Sequence, residues 1–369
     1  MSADLPVAPV AGESALEALL DNVNVASITD MPSPAEVHRR VPLTDRGART
    51  VLDGRNAVRA ILRREDRRLF VVVGPCSIHD PRAALDYAGR LRGLSDAVRD
   101  TMLLVMRVYF EKPRTSVGWK GFVNDPYMDD SFRIDEGVAK ARELLLAIAE
   151  LGLPAATEAL DPIGPQYLSD LISWYAIGAR TTESQTHREM ASGLSAPVGF
   201  KNGTDGGLEV AVNAIRSARS PHGFLGVNAQ GSTAVIRSRG NVDGHLVLRG
   251  GAGRPNYDTV SVRIAEQALE RAKLPANIVI DCSHANAMKD HTLQPLVFND
   301  CVHQIREGNR SIVGLMLESN LEAGSQPLEG DPAKLRYGMS VTDPCIDWKS
   351  TEDLLLRANR ELGEALASR

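Results

Sequence analysis

Eight short runs of β-branched and aliphatic residues recur along the chain, and the stretches between most of them carry a helical period. This alternation restricts the fold more than any other feature. The runs are LFVVVG (69–74), MLLVMRV (102–108), AATEAL (155–160), AIGAR (176–180), PVGFK (197–201), HLVLRG (245–250), NIVIDC (277–282) and SIVGLMLES (311–319). Within 135–152, Val138, Ala141, Leu145 and Ile148 share one helical face, and Gly152 and Pro154 close the helix. Within 293–308, Leu293, Val297, Cys301 and Ile305 do the same. The last helical stretch, STEDLLLRANRELGEAL, opens on Ser350 with Asp353 three residues on, close to a capping box. The β runs are continuously apolar, as strands covered on both faces must be. Eight such strands alternating with helices predict an α/β fold of the (β/α)8 barrel type. An open doubly wound sheet is the alternative, but no Gly-rich dinucleotide fingerprint follows the first run.

Residues 1–65 read as an N-terminal extension, and 66–369 as the barrel. The extension is Pro- and Ala-rich at first, then forms an Arg-rich amphipathic helix over 45–66. Two segments exceed a minimal barrel. One is the long loop 109–133. The other, 221–244, holds two β-prone runs around Gly and Asn and predicts an inserted hairpin. A formal charge of −5 argues against a nucleic-acid partner. No run reaches the roughly 20 apolar residues of a membrane helix, so no membrane association is expected. The first residues lack the basic start and apolar stretch of a signal peptide. Four cysteines, Cys76, Cys282, Cys301 and Cys345, show no close-spaced framework. Reduced thiols in a cytoplasmic protein are the expectation.

Catalytic groups of such a barrel collect at the C-terminal ends of its strands. Cys76 follows the first run and Arg107 ends the second, with Lys112 and Arg114 in its loop. Glu158, Arg180, Lys201 and Arg249 mark the third to sixth. Asp281 and His284 follow the seventh, Glu318 ends the eighth, and Asp343 lies in SVTDPCIDW beyond it. Arg107, Lys112, Arg114, Arg180, Lys201 and Arg249 are six cations at one mouth of an acidic protein. They repel one another unless they bind anions, and Arg forks suit phosphate and carboxylate oxygens. Cys76, His284, Glu318 and Asp343 form a mixed sulfur, nitrogen and oxygen set that suits a divalent transition ion. None of these lie at a short metal-motif spacing, and His79, His187 and His291 compete as ligands.

The motifs GPCSIHD, KPRTSVGWKG, GARTTESQTHRE, PVGFKNGTDG, LRGG followed by PNYD, DCSHAN, GLMLESN and SVTDPCI occur in this order from about 70 to 348. Together they resemble the type I 3-deoxy-D-arabino-heptulosonate 7-phosphate (DAHP) synthases. The resemblance implies a (β/α)8 TIM barrel with an N-terminal extension and an inserted hairpin. It also implies condensation of phosphoenolpyruvate with erythrose 4-phosphate, with release of phosphate, as the first committed step of the shikimate pathway to aromatic amino acids. The family's divalent metal ligands match Cys76, His284, Glu318 and Asp343; manganese, cobalt, iron and zinc remain open. Its phosphoenolpyruvate contacts match Arg107, Lys112, Arg180, Lys201 and Arg249, assisted by Glu158 and the backbone at Gly178 and Ala179. Its sugar-phosphate contacts match Lys112, Pro113, Arg114, Thr115 and Ser116. The sister enzyme making 3-deoxy-D-manno-octulosonate 8-phosphate carries Ala-Asn where this chain reads Lys112-Pro113-Arg114, which favours the four-carbon aldose phosphate.

In regulated relatives, the extension and hairpin build an allosteric site for an aromatic amino acid within a homodimer or homotetramer. By position Pro165, Gln166, Phe224 and Gly226 line it here. Phenylalanine-sensitive patterns have Ser where this chain has Gly226, and EALDP (158–162) follows the tyrosine-sensitive pattern. Feedback inhibition by tyrosine is therefore expected. Cys345, two residues after Asp343, either approaches Cys76 when the metal is absent, permitting a disulfide and inactivation, or is simply packed. A catalytically silent binding partner is the opposite reading, but such a chain has no need of complete metal and anion sets.

Overall fold

The computed structural model describes residues 20–113, 118–328 and 331–367. Arg114, Thr115 and Ser116 of the expected sugar-phosphate motif lie outside the described residues, as do the first 19 of the extension. Two helices, α1 (Pro34–Arg40) and α2 (Asp45–Leu62), precede the first strand. Eight strands then close a parallel barrel: β1 (Leu69–Gly74), β2 (Met102–Arg107), β3 (Ala155–Glu158), β4 (Trp174–Ile177), β5 (Val198–Lys201), β8 (Gly244–Leu248), β9 (Ile278–Asp281) and β10 (Ile312–Glu318). Antiparallel β6 (Gly223–Val227) and β7 (Thr233–Arg237) form the inserted hairpin between β5 and β8. Helices α3 (Pro81–Val98), α4 (Ile134–Glu150), α5 (Gly164–Leu168), α6 (Gln185–Gly193), α7 (Glu209–Ala218), α8 (Thr259–Arg271), α9 (Gln294–Arg306) and α10 (Trp348–Ala367) surround the barrel.

Alternation along the strands divides the core into two layers. Leu69, Val71 and Val73 face the helices, where Leu145, Ile148 and Leu355 join them. Phe70, Val72, Val105, Ala156, Trp174 and Val247 fill the barrel. Val58, Ile61 and Leu62 of α2 belong to this inner layer, so the helix packs its apolar end against the barrel interior. Asn277 Nδ2 donates to Leu62 O at 2.8 Å and fixes the end of α2 beside β9.

Some details depart from the sequence reading, and Arg249, like Arg180, lies beyond its strand, which ends at Leu248. The fourth strand is Trp174–Ile177, so Arg180 lies in the turn beyond it and not in the strand. α10 begins at Trp348, and Asp347 is its cap, accepting from Ser350 N at 2.7 Å. Ser350 therefore lies inside the helix. A carboxylate reaches the orphan amides of a first turn as well as a hydroxyl does, and the upstream Asp won. Among the described residues, no helix is long and apolar enough to cross a membrane.

Candidate active site

β1 ends in Gly74 at φ +155, and a Cβ there would sit 2.7 Å from Arg107 O of the neighbouring strand. Only glycine allows this approach. The chain then turns through Pro75, and Cys76 arrives fully buried at the C-terminal mouth. From β2, Arg107 reaches back to it: Nε donates to Pro75 O at 3.0 Å and Nη2 to Cys76 O at 3.1 Å. The same Nη2 lies 3.0 Å from Glu318 Oε1 at the end of β10. The guanidinium also stacks on Tyr109, 3.6 Å from the ring centroid. Burial opposes its charge, but Tyr109, Glu318 and Cys76 hold the group above the usual range. Arg107 is thus a permanent cation laid beneath the donors.

Cys76 Sγ and one carboxylate oxygen each from Glu318 and Asp343 lie within 4.8 Å of one another. The Lys112 ammonium is 2.8 Å from Cys76 Sγ and 2.7 Å from Asp343 Oδ2. The three donors therefore already accommodate positive charge, and a thiol with two carboxylates suits the middle transition metals. These residues fit a divalent ion. Burial, then the Glu318 carboxylate, pushes the Cys76 thiol up to about 11. Partial burial opposes the charge on Asp343, but Lys112 holds its carboxyl well below the usual range. Gln294 fixes Glu318 from behind, accepting from Glu318 N at 2.9 Å and donating to Glu318 O at 3.1 Å. Ser77 Oγ and Thr342 Oγ1, 2.7 Å apart, tie the Asp343 loop to the turn that carries Cys76.

His284 stands outside this group of three. Its backbone sits at φ +54, a region β-carbon-bearing residues adopt at a cost of roughly 1–2 kcal/mol. Its Nδ1 lies 2.9 Å from Asp281 Oδ2 and 2.7 Å from Ser283 Oγ. Asp281 is buried at the end of β9, and the same Oδ2 receives Lys201 Nζ at 3.0 Å. Burial opposes the Asp281 charge, but His284 and Lys201 keep the carboxyl far below the usual range.

A cavity of about 230 Å³ opens over these groups. Arg107, Lys112, Arg180, Lys201 and Arg249 line it together with His284, Glu318 and Asp343. Pro113, Glu158 and the backbone of Gly178 and Ala179 complete the set. The structure therefore brings the described members of the expected site to one mouth. Burial, and then the neighbouring Arg180, lowers the Arg249 pKa. Such crowding of guanidinium groups is relieved by an anion. Among the described residues, Glu158 Oε1 is buried without a hydrogen-bond partner, tucked against the bare Cα of Gly178. Thr204, Lys289, His291 and Gln294 also line the cavity. Of these only His291 was singled out from sequence, as a competing ligand. Thr204 and Lys289 sit in loops beyond the strand ends, and the buried Gln294, first residue of α9, carried no motif. His187 is occupied elsewhere, bonding Leu160 O and Ser184 Oγ.

Of the expected effector residues, Pro165 and Gln166 belong to α5, and Phe224 and Gly226 to β6. α1 touches both elements. Ala35 N donates to Ala229 O of the hairpin turn at 2.8 Å, and Tyr167 OH of α5 donates to Pro32 O at 2.9 Å. Beside β6, Ser192 and Ser238 join α6 to the hairpin at 2.6 Å. A Cβ added at Gly226 would meet Ile236 Cγ1 at 2.9 Å. The four cysteines are free thiols, and Cys345 Sγ contacts Asp343 O at 3.7 Å.

Residues 40–356 match the model of the DAHP synthetase I family. The Tyr-sensitive phospho-2-dehydro-3-deoxyheptonate aldolase of Escherichia coli is 51% identical over 350 residues, covering 95% of this chain and 98% of that protein. The Phe-sensitive enzyme of the same organism is also 51% identical, with the same coverage. The solved phospho-2-dehydro-3-deoxyheptonate aldolase of Francisella tularensis superposes with a TM-score of 0.90 at 46% identity, over 94% of this chain and 99% of that one. A barrel mouth that gathers a thiol, carboxylates and six Lys and Arg side chains, on a chain matching relatives over 95% of its length, leads to one assignment: this chain belongs to the DAHP synthetase I family.

Proposed function

We propose that the barrel mouth condenses phosphoenolpyruvate with erythrose 4-phosphate, giving DAHP and phosphate. The observation that carries this reading is the convergence of six Lys and Arg side chains on one cavity that Glu318 and Asp343 also line, with Cys76 Sγ within 4.8 Å of an oxygen of each carboxylate. Two polyanionic substrates repel each other, and fixed cations hold them together while supplying proximity. Arg180 and Arg249 hold the phosphate of phosphoenolpyruvate, with Lys201 and Arg107 toward its carboxylate. Lys112, Pro113, Arg114, Thr115 and Ser116 take the sugar phosphate. Cys76, His284, Glu318 and Asp343 would hold a divalent ion, which would supply Lewis acidity for the aldehyde oxygen. Lys112, within reach of the same donors, gives a proton to the oxygen derived from that aldehyde. The unpartnered Glu158 Oε1 accepts a hydrogen bond from the water that adds to the enol carbon.

The decisive assay is phosphate release from the two substrates by chelator-treated protein. Activity should be absent, return with manganese or cobalt, and stay absent in Cys76→Ala. Full activity without metal would sink the metal assignment, and equal use of a five-carbon aldose phosphate would sink the substrate assignment.

We assign tyrosine as the inhibitor, at a site built by α5, the hairpin and α1. Gly226 supports this as the residue of the tyrosine-sensitive pattern, and a side chain added there would press on Ile236 Cγ1, 2.9 Å from the new Cβ. Gly226→Ser should raise the half-inhibitory tyrosine concentration about tenfold, roughly 1.4 kcal/mol. Assays with tyrosine, phenylalanine and tryptophan on both proteins check it. We also assign a homo-oligomer, dimer or tetramer, that covers the outer face of the hairpin. The cross-strand pair Leu225 and Val235 is 73% and 65% exposed there, more apolar surface than a lone hairpin would leave in water. Four free cysteines accord with a cytoplasmic location.

A further inference from the structure

Asp281 is the one fully enclosed carboxylate of the mouth that the reaction as described does not use. It touches neither the cavity nor the group of three donors. It is 1% exposed; Oδ1 is hydrogen-bonded, whereas Oδ2 makes two close ion-pair contacts and no hydrogen bond among the described residues. Oδ1 accepts from Ser283 Oγ at 2.7 Å and from Ser283 N at 3.1 Å. Oδ2 stands between two groups that belong to different parts of the site: Lys201 Nζ at 3.0 Å and His284 Nδ1 at 2.9 Å.

The tautomer follows from this network. The Ser283 hydroxyl proton goes to Asp281 Oδ1, so Ser283 Oγ offers His284 only a lone pair. Ser283 Oγ can then only accept from Nδ1, and the Asp281 carboxylate 2.9 Å away disfavours a lone pair there, so the ring carries its proton on Nδ1 and donates it to Ser283 Oγ. Nε2 is left with a free lone pair, the form a metal ligand requires. A carboxylate behind an imidazole fixes the ring and makes the far nitrogen a better donor. The unusual φ of +54 at His284 shows that the backbone is held in a costly conformation to keep this arrangement.

We propose that Asp281 is a positioning residue that orients His284 as a metal donor and links it to the phosphoenolpyruvate-binding Lys201. An arriving substrate anion shares the charge of Lys201. Less of the Asp281 charge is then spent on the ammonium, and more polarises the imidazole. Phosphoenolpyruvate should therefore tighten metal binding, and by reciprocity the metal should tighten phosphoenolpyruvate binding. The inference rests on the metal and substrate assignments made above.

Cobalt(II) titration of the full-length chain tests it, following the thiolate-to-cobalt absorption band with and without phosphoenolpyruvate. The wild-type protein should show the band, and the substrate should tighten cobalt binding by about fivefold or more. Asp281→Asn should weaken cobalt binding by about 10–100-fold and bring the substrate effect close to one. Ser283→Ala keeps the carboxylate but removes its anchor, so it should show the same changes at a smaller size. It carries the test if Asp281→Asn fails to fold by circular dichroism. Unchanged cobalt affinity and unchanged substrate effect in the variants would overturn the proposal. Weakened cobalt binding with the substrate effect intact would keep Asp281 as the orienter of His284 and overturn its link to Lys201. A wild-type chain without the thiolate band would instead sink the metal assignment.

Discussion

Single side chains at the mouth divide into those already satisfied and those left open, and the open ones point to chemistry. Arg107 is satisfied by two carbonyls, Glu318 and a tyrosine ring. Among the described residues, Glu158 Oε1 has no partner although buried, and an unpaired acceptor costs about 1–3 kcal/mol. A water held for reaction removes that cost. Glu158→Gln keeps the shape but cannot take a proton, so kcat should fall about 10²–10⁴-fold while the KM for phosphoenolpyruvate moves little. An unchanged kcat would remove Glu158 from the water step. A contrasting residue lies inside the barrel. His245 Nδ1 donates to Asp243 O at 2.9 Å, and its Nε2 accepts from Trp174 Nε1 at 3.0 Å. Only the neutral ring fits this arrangement, and burial lowers the pKa to about 4. The folded-state value is depressed, so the stability is complete above the unfolded value near 6.5 and drains away as pH falls through 4. The loss approaches about 3 kcal/mol. Urea unfolding across that range should show this slope, and His245→Gln should flatten it.

At the scale of elements, the extension is built into the molecule rather than appended. α2 sends Val58, Ile61 and Leu62 into the inner core, while α1 bridges α5 and the hairpin turn. Tyr167→Phe removes the hydrogen bond that ties α5 to Pro32. The half-inhibitory tyrosine concentration should rise about three- to tenfold, matching a loss of roughly 0.5–1.5 kcal/mol, with kcat unchanged; equal inhibition curves would separate this contact from control. The sequence-to-structure comparison is clearest at this scale. Periodicity exposes a strand because apolar side chains must leave water on both faces, so the eight barrel strands were legible. Strand-end logic then found Cys76, Glu318 and the cations. It slipped at β4, whose Trp174 and Tyr175 precede the run that looked most strand-like. It also missed Gln294 and the structural weight of Asp281. Their roles come from hydrogen bonds across long sequence separations, which no local pattern encodes. α10 was found, but its cap was misplaced because two plausible caps stand three residues apart.

For the whole molecule, the notable fact is where the proposed metal donors come from. Cys76 follows β1, His284 follows β9, Glu318 ends β10 and Asp343 lies in the segment before α10. An ion held by all four therefore joins the first barrel strand to the last, across the seam where β1 pairs with β10. The unfolded chain cannot assemble such a site, so the binding free energy adds to folding stability. At a free metal concentration a thousand times Kd the gain is about 4 kcal/mol. Unfolding entropy near 2.1 cal/mol/K per residue gives roughly 0.8 kcal/mol/K for 369 residues. The metal-loaded protein should then melt about 5 °C above the chelated one. Differential scanning calorimetry at fixed protein concentration measures this. Cys76→Ala, lacking the donor on β1, should show a shift of about 1 °C or less. An equal shift in both proteins would place the stabilising ion elsewhere, and no shift in the wild type would deny that the ion closes the barrel seam.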